Sequence, residues 1–500
     1  MSERLSERTL ARLPAAVRVP GYDRDRVTPG IVHLGVGAFH RAHQAVYVDT
    51  VLETEPGWGI VGASLRSAAT RDALGPQDGL YTVVARGADA DAFRVIGSLL
   101  KVLHAGTEPG ELMDALTAED TRIVSLTITE KGYCHDPATG QLDTGHPGIV
   151  HDLLNPETPV TAPGLLVAAL ARRRSLGLAA FTVLSCDNLR ANGKTTRDVV
   201  VGYAMQRDPI VGNWIKNETA FPSTMVDRIV PATTDADRAA VTGTLGVEDA
   251  WPVVTEPFSQ WVIEDDFRAG RPRFENAGAW MVADVAPFEM MKLRMLNGAH
   301  STLAYLGYLM GHQTVADAIG DPGLRRLILA MMTKEVIPTL DVPGIDPDAH
   351  AQALIARFEN PALRHRTGQI AMDGSQKLPQ RLLATIRDRI ASGGGYRRLA
   401  LGVAAWMRYV SGVGEHGETI DIHDPMADRL AAIGKQAGGD AAALVAGYLG
   451  IEEIFGTDLV RDHGFVATVV EHLQSLLEKG ARETVRAMTV GRGGIREASE

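Results

Sequence analysis

Cysteine is almost missing from this chain of 500 residues: Cys134 and Cys186 are the only two. They build neither a disulfide framework nor a zinc-ligand spacing, and they suit a reducing, cytoplasmic setting. Long apolar runs are missing as well. Nothing approaches the roughly 18 consecutive apolar residues of a membrane span, so no membrane partner is expected. The segment from Met1 to Arg26 is charged and lacks the apolar core of a secretion signal. Basic charge is in deficit, with 50 Lys and Arg against 61 Asp and Glu, a net charge of −11 and a pI near 5.8. No basic stripe stands out, which argues against nucleic acid as a partner. Internal repeats and low-complexity blocks are also absent.

What is present is ordinary globular chemistry, 45% apolar and 22% charged. At this length two domains are expected rather than one core. In the first part of the chain, strand patterns fall near 31–34, 59–63, 80–86, 93–100, 122–129 and 179–186, with later ones within 256–265 and 280–285. Helical patterns alternate with them at 109–117, 162–174 and 194–206. That alternation predicts an α/β domain with a mainly parallel sheet. After Pro287 helical patterns dominate, near 288–310, 323–335, 348–358, 378–392, 396–411, 427–436, 440–448 and 464–488. The boundary is therefore placed near 286, giving domains 1–286 and 287–500. A cleft between two domains is where a small-molecule site is expected.

The run Gly35-Val36-Gly37-Ala38-Phe39-His40 joins the first strand to a helix expected to reach about Glu53. Gly35 allows a tight turn, and Gly37 lets the backbone approach a pyrophosphate at the helix N-terminus. His40 stands where a dinucleotide fingerprint has its third Gly, so a plain strand–helix turn is an equal reading. His40 and His43 are spaced i,i+3 and could ligate a metal. No further Cys/His cluster supports one, so they are read as packing or phosphate-facing groups and no metal is expected. After the second strand, Arg66 and Arg71 come before the first acid, Asp72. They could meet a 2′-phosphate of NADP or could simply be solvated. Glu130 and Asn188 lie just past strand ends, where parallel sheets bind ligands. Turn chemistry and helix capping are the alternative. Asp227 and Arg228 sit between apolar flanks. Buried, they would be structural; in a cleft, Asp227 would suit polyol hydroxyls.

The stretch from Lys292 to His300 opens a long apolar helical run that continues through Leu303, Leu306 and Leu309. On a regular α-helix Lys292, Asn297 and His300 project within an arc of about 140°, with Arg294 outside it. Lys292 and His300 would then lie roughly 12 Å apart along the axis. A desolvated Lys can act as a base, an amide can donate to a developing alkoxide, and an imidazole can hold a hydroxyl. A helix turning its polar residues to solvent or to a partner helix is the other reading.

The set Lys292, Asn297 and His300 resembles the active-site motif of the polyol-specific long-chain dehydrogenases, the mannitol dehydrogenase family. The likeness runs from about Gly30 to Arg486. It includes GVGAFHRAHQA at Gly35–Ala45, SLTITEKGY at Ser125–Tyr133, LSCDN at Leu184–Asn188, FPSTMVDRIVP at Phe221–Pro231 and EPFSQWVIED at Glu256–Asp265. The resemblance implies a Rossmann-type N-terminal domain and a mostly α-helical C-terminal domain. It implies metal-free, NAD(P)-linked oxidation of a polyol or sugar acid at C2, or the reverse. By matching position it makes Lys292 the general acid/base, Asn188 and Asn297 the holders of the reacting oxygen, and His300 a substrate-orienting group. Asp227 matches a substrate-side carboxylate. Gly35, Val36, Gly37, Ala38 and Phe39 form the nucleotide turn, with Arg66 and Glu130 also on the cofactor side. Ala68 and Ala69 replace an acidic pair found in some mannitol dehydrogenases, so NAD is expected with NADP possible.

Two stretches resemble the fructuronate reductase branch of that family: Pro287–Gly298 and Arg364–Arg381. Mannitol-branch sequences carry Arg where this chain has Gln369. The second stretch offers Arg364, Arg366, Lys377 and Arg381 as partners for a substrate carboxylate, or as surface pairs. The expected activity is reduction of D-fructuronate to D-mannonate by a monomer or small homo-oligomer. A mannitol or arabinitol 2-dehydrogenase is the nearest alternative, and a catalytically silent nucleotide-binding protein is the alternative of another class.

Overall fold

The computed structural model describes residues 3–136 and 139–489. The chain divides into two compact units, Met1–Ala286 and Pro287–Glu500. The first contains all the strands found among the described residues: Val17–Arg18 (β1), Pro29–Leu34 (β2), Gly59–Ser64 (β3), Tyr81–Arg86 (β4), Asp91–Ile96 (β5), Leu99–His104 (β6), Ile123–Leu126 (β7), Thr182–Ser185 (β8), Thr224–Asp227 (β9), Val253–Thr255 (β10), Gln260–Glu264 (β11) and Trp280–Val282 (β12). Five of them form a fully parallel sheet in the order β6-β3-β2-β7-β8. Counted along the chain within that sheet, this is the 3-2-1-4-5 order of a Rossmann domain, and the order reverses between β2 and β7.

Alternate residues of these strands feed two cores. Val32, Val61 and Val124 belong to one, with Leu112, Leu166 and Tyr203 from the covering helices. Ile31, Ile60 and Ile123 belong to the other, with Val48, Trp58 and Trp261. A parallel sheet buried on both faces needs strands that are apolar at almost every position; β2 and β7 depart from this only at His33 and Ser125, which hydrogen-bond each other at 2.8 Å. Two smaller mixed sheets, β1-β5-β4-β10 and β12-β11-β9, complete the unit. The run expected as one strand at 93–100 breaks at Gly97 and Ser98, and its halves serve different sheets. Gly97 N–H donates to Asp49 at 2.8 Å, and Ser98 Oγ donates to Ala45 O at 2.8 Å.

The second unit is helical. The helix Arg397–Val410 is buried from Leu399 onward and packs on Gly298–Leu309 and His463–Thr489. Three short π-helical turns interrupt the α-helices, at Lys292–Asn297, Met332–Val336 and Pro379–Leu383. None of the described helices is long and apolar enough to cross a membrane.

Candidate active site

In the first unit the chemistry gathers at the carboxyl ends of the parallel strands. Gly35 follows β2 with φ +97°, and a Cβ there would lie 2.1 Å from Thr127 O, beyond the end of β7. Only Gly fits, because the conformation and the close approach of two backbones both forbid a side chain. Gly37 is different. Its φ is −85°, and a Cβ would meet nothing nearer than Gly35 O at 3.9 Å. The protein's own packing does not demand glycine there. Open space beside an exposed helix start is what an approaching phosphate requires. Val36 is buried and seats against Gly62, while Ala38 and Phe39 open the helix Ala38–Ala42.

The helix expected from this turn to Glu53 stops at Ala42 and resumes over Gln44–Val51. His43 leaves helical geometry (φ −126°, ψ −90°), and its Nε2 bonds Gln260 O at 2.9 Å. Arg228 donates to Ala42 O, the carbonyl that the break releases, and also to Glu256 O at 3.0 Å. Arg228 is therefore committed to backbone carbonyls, and Asp227 closes β9 as a buried residue. His40 is fully buried and stacks on His33 at 3.4 Å. Burial first, then the neighbouring His33, Arg41 and His43, hold its pKa well below the usual imidazole range. Among the described residues no group of three or more His, Cys, Asp or Glu is placed to hold a metal.

The loops after β7 and β8 are joined by Asp187. Its carboxylate accepts from Ile128 N at 2.9 Å, Thr129 N at 3.0 Å and Tyr133 Oη at 2.7 Å. Thr129 has φ +64° and ψ 161°, a region essentially reserved for Gly that costs about 1–3 kcal/mol. Burial raises the Asp187 pKa above the usual carboxylate range, and these hydrogen bonds offset that only in part. Asn192 extends the network, donating to Asp187 O at 3.0 Å and Thr224 O at 2.9 Å, so β9 is tied in too. Glu130 and Asn188, both exposed, project from the two loops that Asp187 joins. Asp187 and Tyr133 went unassigned in the sequence, since nothing local shows that two residues 54 apart share a hydrogen bond.

Beyond β3, Arg66 is exposed. Arg71 is not available for a phosphate. It pairs with Asp72 at 2.7 Å and Glu108 at 3.1 Å and donates to Thr107 Oγ1 at 2.8 Å. A cleft of about 490 Å³ nearby is lined by Glu7, Arg24, Arg71, Asp78, Lys101 and Glu108 among others. Its cations are matched by acids, and no residue of the glycine turn lines it.

In the second unit the stretch from Lys292 to His300 is helical, but Lys292–Asn297 is a π-turn, with Gly298 N bonded to Leu293 O. The wider i→i+5 turn takes in one residue more than an α-turn. The 140° arc and 12 Å rise of a regular helix therefore do not describe this segment. Lys292 and Asn297 are half-buried, and His300 is buried. Arg294, outside the expected arc, pairs with Asp388 at 2.6 Å and donates to Thr339 Oγ1 at 2.8 Å. His300 packs on Phe358 (4.6 Å between centroids) and His365 (5.5 Å). Burial, then the charges of His365, Arg357 and Arg381, keep it neutral by holding its pKa well below the usual range.

The stretch 364–381 meets this helix in part. Arg381 Nη1 donates to Ser301 Oγ at 3.1 Å, and a Cβ on Gly298 would stand 2.9 Å from Arg381 O, so two π-turns pack backbone to backbone. Lys377 Nζ donates to Met372 O at 2.5 Å and lies 3.9 Å from Asp373. Arg364 and Arg366 are exposed. His365, Phe358 and Ser301 are neighbours of this cluster that the sequence did not single out.

A Rossmann sheet with a glycine turn at its point of reversal, followed by a helical unit bearing a Lys-Asn-His helix, defines a two-unit dinucleotide-binding oxidoreductase. The chain belongs to the mannitol dehydrogenase family: the family's Rossmann-domain model matches residues 29–276 and its C-terminal-domain model residues 284–477. It is 50% identical over 475 residues to the D-mannonate oxidoreductase of Escherichia coli K12, covering 94% of this chain and 97% of that one. Against a mannitol 2-dehydrogenase of Phaeosphaeria nodorum the identity is 43%, covering 96% and 85%. The solved structure of Pseudomonas fluorescens mannitol 2-dehydrogenase with NAD and D-mannitol superposes with a TM-score of 0.86 at 41% identity, covering 97% of this chain and 99% of that one. The chain is thus a dehydrogenase acting on CH–OH groups.

Proposed function

We propose that the chain reduces a ketouronate, D-fructuronate, to its alcohol D-mannonate, with NAD as the preferred nucleotide. The observation that carries this is the cationic setting of two packed imidazoles, with Arg357 and Arg381 acting on the buried His300 and Lys377 on His365, in a chain half identical to a D-mannonate oxidoreductase. A polyol offers no charge for such a cluster, whereas a sugar acid does. The residues fit a dinucleotide. Gly35 makes the turn, Gly37 leaves room for a pyrophosphate, and a relative of this fold holds NAD. The nicotinamide supplies the hydride. Lys292 supplies the proton to the reduced oxygen or removes it in the reverse direction. Asn188 and Asn297 donate to that oxygen as charge develops on it. Asp227 and His300 hold substrate hydroxyls, and Glu130 lies on the cofactor side. Arg66 is the remaining candidate for a 2′-phosphate, since Arg71 is paired.

The test is turnover of purified protein with NADH and NADPH against fructuronate, fructose and other ketoses. The expected result is a higher kcat/KM for fructuronate than for fructose, with NADH preferred and Arg66→Ala lowering only NADPH use. Faster reduction of fructose at equal concentration would instead assign mannitol 2-dehydrogenase activity, the second reading that the family supports. No turnover with any of them would leave a nucleotide-binding protein without catalysis.

A further inference from the structure

Two imidazoles meet in the helical unit, and only one has a role so far. His300 is 6% exposed, and its Nε2 has no hydrogen-bond partner among the described residues. The His365 ring stands edge-on to it at 5.5 Å, and His365 Nδ1 is likewise buried and without a partner. Buried ring nitrogens left unpaired are costly, so a pair of them marks a place where something polar arrives. The backbone holds His365 firmly, because Val315 N donates to His365 O at 2.9 Å and Thr367 N to Gln313 O at 3.1 Å.

The charge around this pair is mostly of one sign. Arg357 and Arg381 act on His300, and Lys377 acts on His365. Asp373 offsets Lys377 in part, at 3.9 Å. The imidazoles, kept neutral, donate hydrogen bonds without adding to the repulsion. Arg381 is oriented by Ser301 Oγ and by its backbone seat on Gly298. His365 and Arg381 are both neighbours of His300, one by ring contact and one by charge, and a neutral donor and an oriented guanidinium are together complementary to one planar monoanion. Arg364 and Arg366, exposed on either side of His365, lack such a setting.

We propose that His365 and Arg381 form the subsite that receives the carboxylate of the sugar-acid substrate, with His365 donating from Nδ1 and Arg381 supplying the charge. This rests on the ketouronate reading of the same site. His365 is then a specificity-determining residue, and Arg364 and Arg366 are not.

The experiment compares kcat/KM for fructuronate and fructose in the full-length protein and in His365→Leu, His365→Asn, Arg381→Gln and Arg364→Gln. Loss of one charge-assisted contact should lower the fructuronate-to-fructose ratio about tenfold or more in His365→Leu and Arg381→Gln. The change should appear mainly in KM. His365→Asn, which keeps a donor near the Nδ1 position, should recover part of it, and Arg364→Gln should leave the ratio unmoved. Equal losses on both substrates, with no recovery in His365→Asn, would make His365 a packing residue and overturn the proposal. If His365→Leu does not fold, Arg381→Gln against Arg364→Gln decides. A wild-type protein that reduces fructose but not fructuronate defeats the ketouronate reading, and this proposal with it, before any variant is made.

Discussion

Asp187 holds Thr129 in a strained conformation. The Thr129 N–H donates to the Asp187 carboxylate at 3.0 Å while its backbone sits at φ +64°. The two residues end neighbouring parallel strands, so one carboxylate sets the shape of both loops that carry Glu130 and Asn188. Asp187→Asn would face one of its donors with an N–H₂ and lose at least one charged hydrogen bond. A loss of about 1.5–3 kcal/mol in unfolding free energy is expected. Turnover should fall further than stability alone explains, because Thr129 is released from its strained geometry. Urea denaturation and steady-state kinetics measure the two effects. Full turnover in a destabilised variant would reduce Asp187 to a structural role.

Lys292→Ala should lower turnover by about 10²–10⁴ while NADH still binds, since it removes the proposed proton-transfer group. Because Lys292 opens a π-turn, its position depends on the extra residue in that turn. Deleting Leu293 should restore α-helical register and lower turnover as well, with the helical unit still folded by circular dichroism. Near-normal rates in Lys292→Ala would remove the lysine from the mechanism.

The two glycines of the first turn should fail in different ways. Gly35→Ala forces a Cβ against Thr127 O at φ +97°, so a stability loss of at least about 1–3 kcal/mol is expected. Gly37→Ala meets no protein atom within 3.9 Å and should fold with a near-wild-type melting temperature. Its NADH affinity should drop, because the Cβ takes space a phosphate would use. Unchanged NADH binding in Gly37→Ala would move the pyrophosphate elsewhere.

Stability should decline in mild acid. Burial lowers the pKa of His33 to about 3 and that of His472 to about 4, and it lowers His40 and His300 as well. For a depressed imidazole the folded state resists a proton that the unfolded state accepts. Its contribution is fully present above the unfolded value near 6.5 and is lost as pH falls from there toward the folded value. Each such residue contributes about 1.4 kcal/mol per pH unit across that window. Between pH 7 and pH 5 the unfolding free energy of His472→Leu should therefore fall less steeply, by about one proton's worth of slope. An identical slope would mean that His472 is charged in the fold.

Much of this protein is written in local sequence. The mostly apolar runs around Val32 and Val124 announce strands covered on both faces, and the change to helical periodicity after Pro287 is plain in composition and spacing. Gly35 and Gly37 announce a turn, and the length of the chain already implies two domains. What the sequence could not supply are long-range matters. The break at His43 depends on Arg228 and Gln260, the split at Gly97 on Asp49, and the commitment of Arg71 on Glu108. The π-turn at Lys292 has no signature in residue types, since Lys, Leu, Arg and Met all suit an α-helix. It goes with the packing of Gly298 against Arg381 O. Which of the four cations of 364–381 stand beside His300 is likewise decided by how the chain folds back on that helix, not by their spacing.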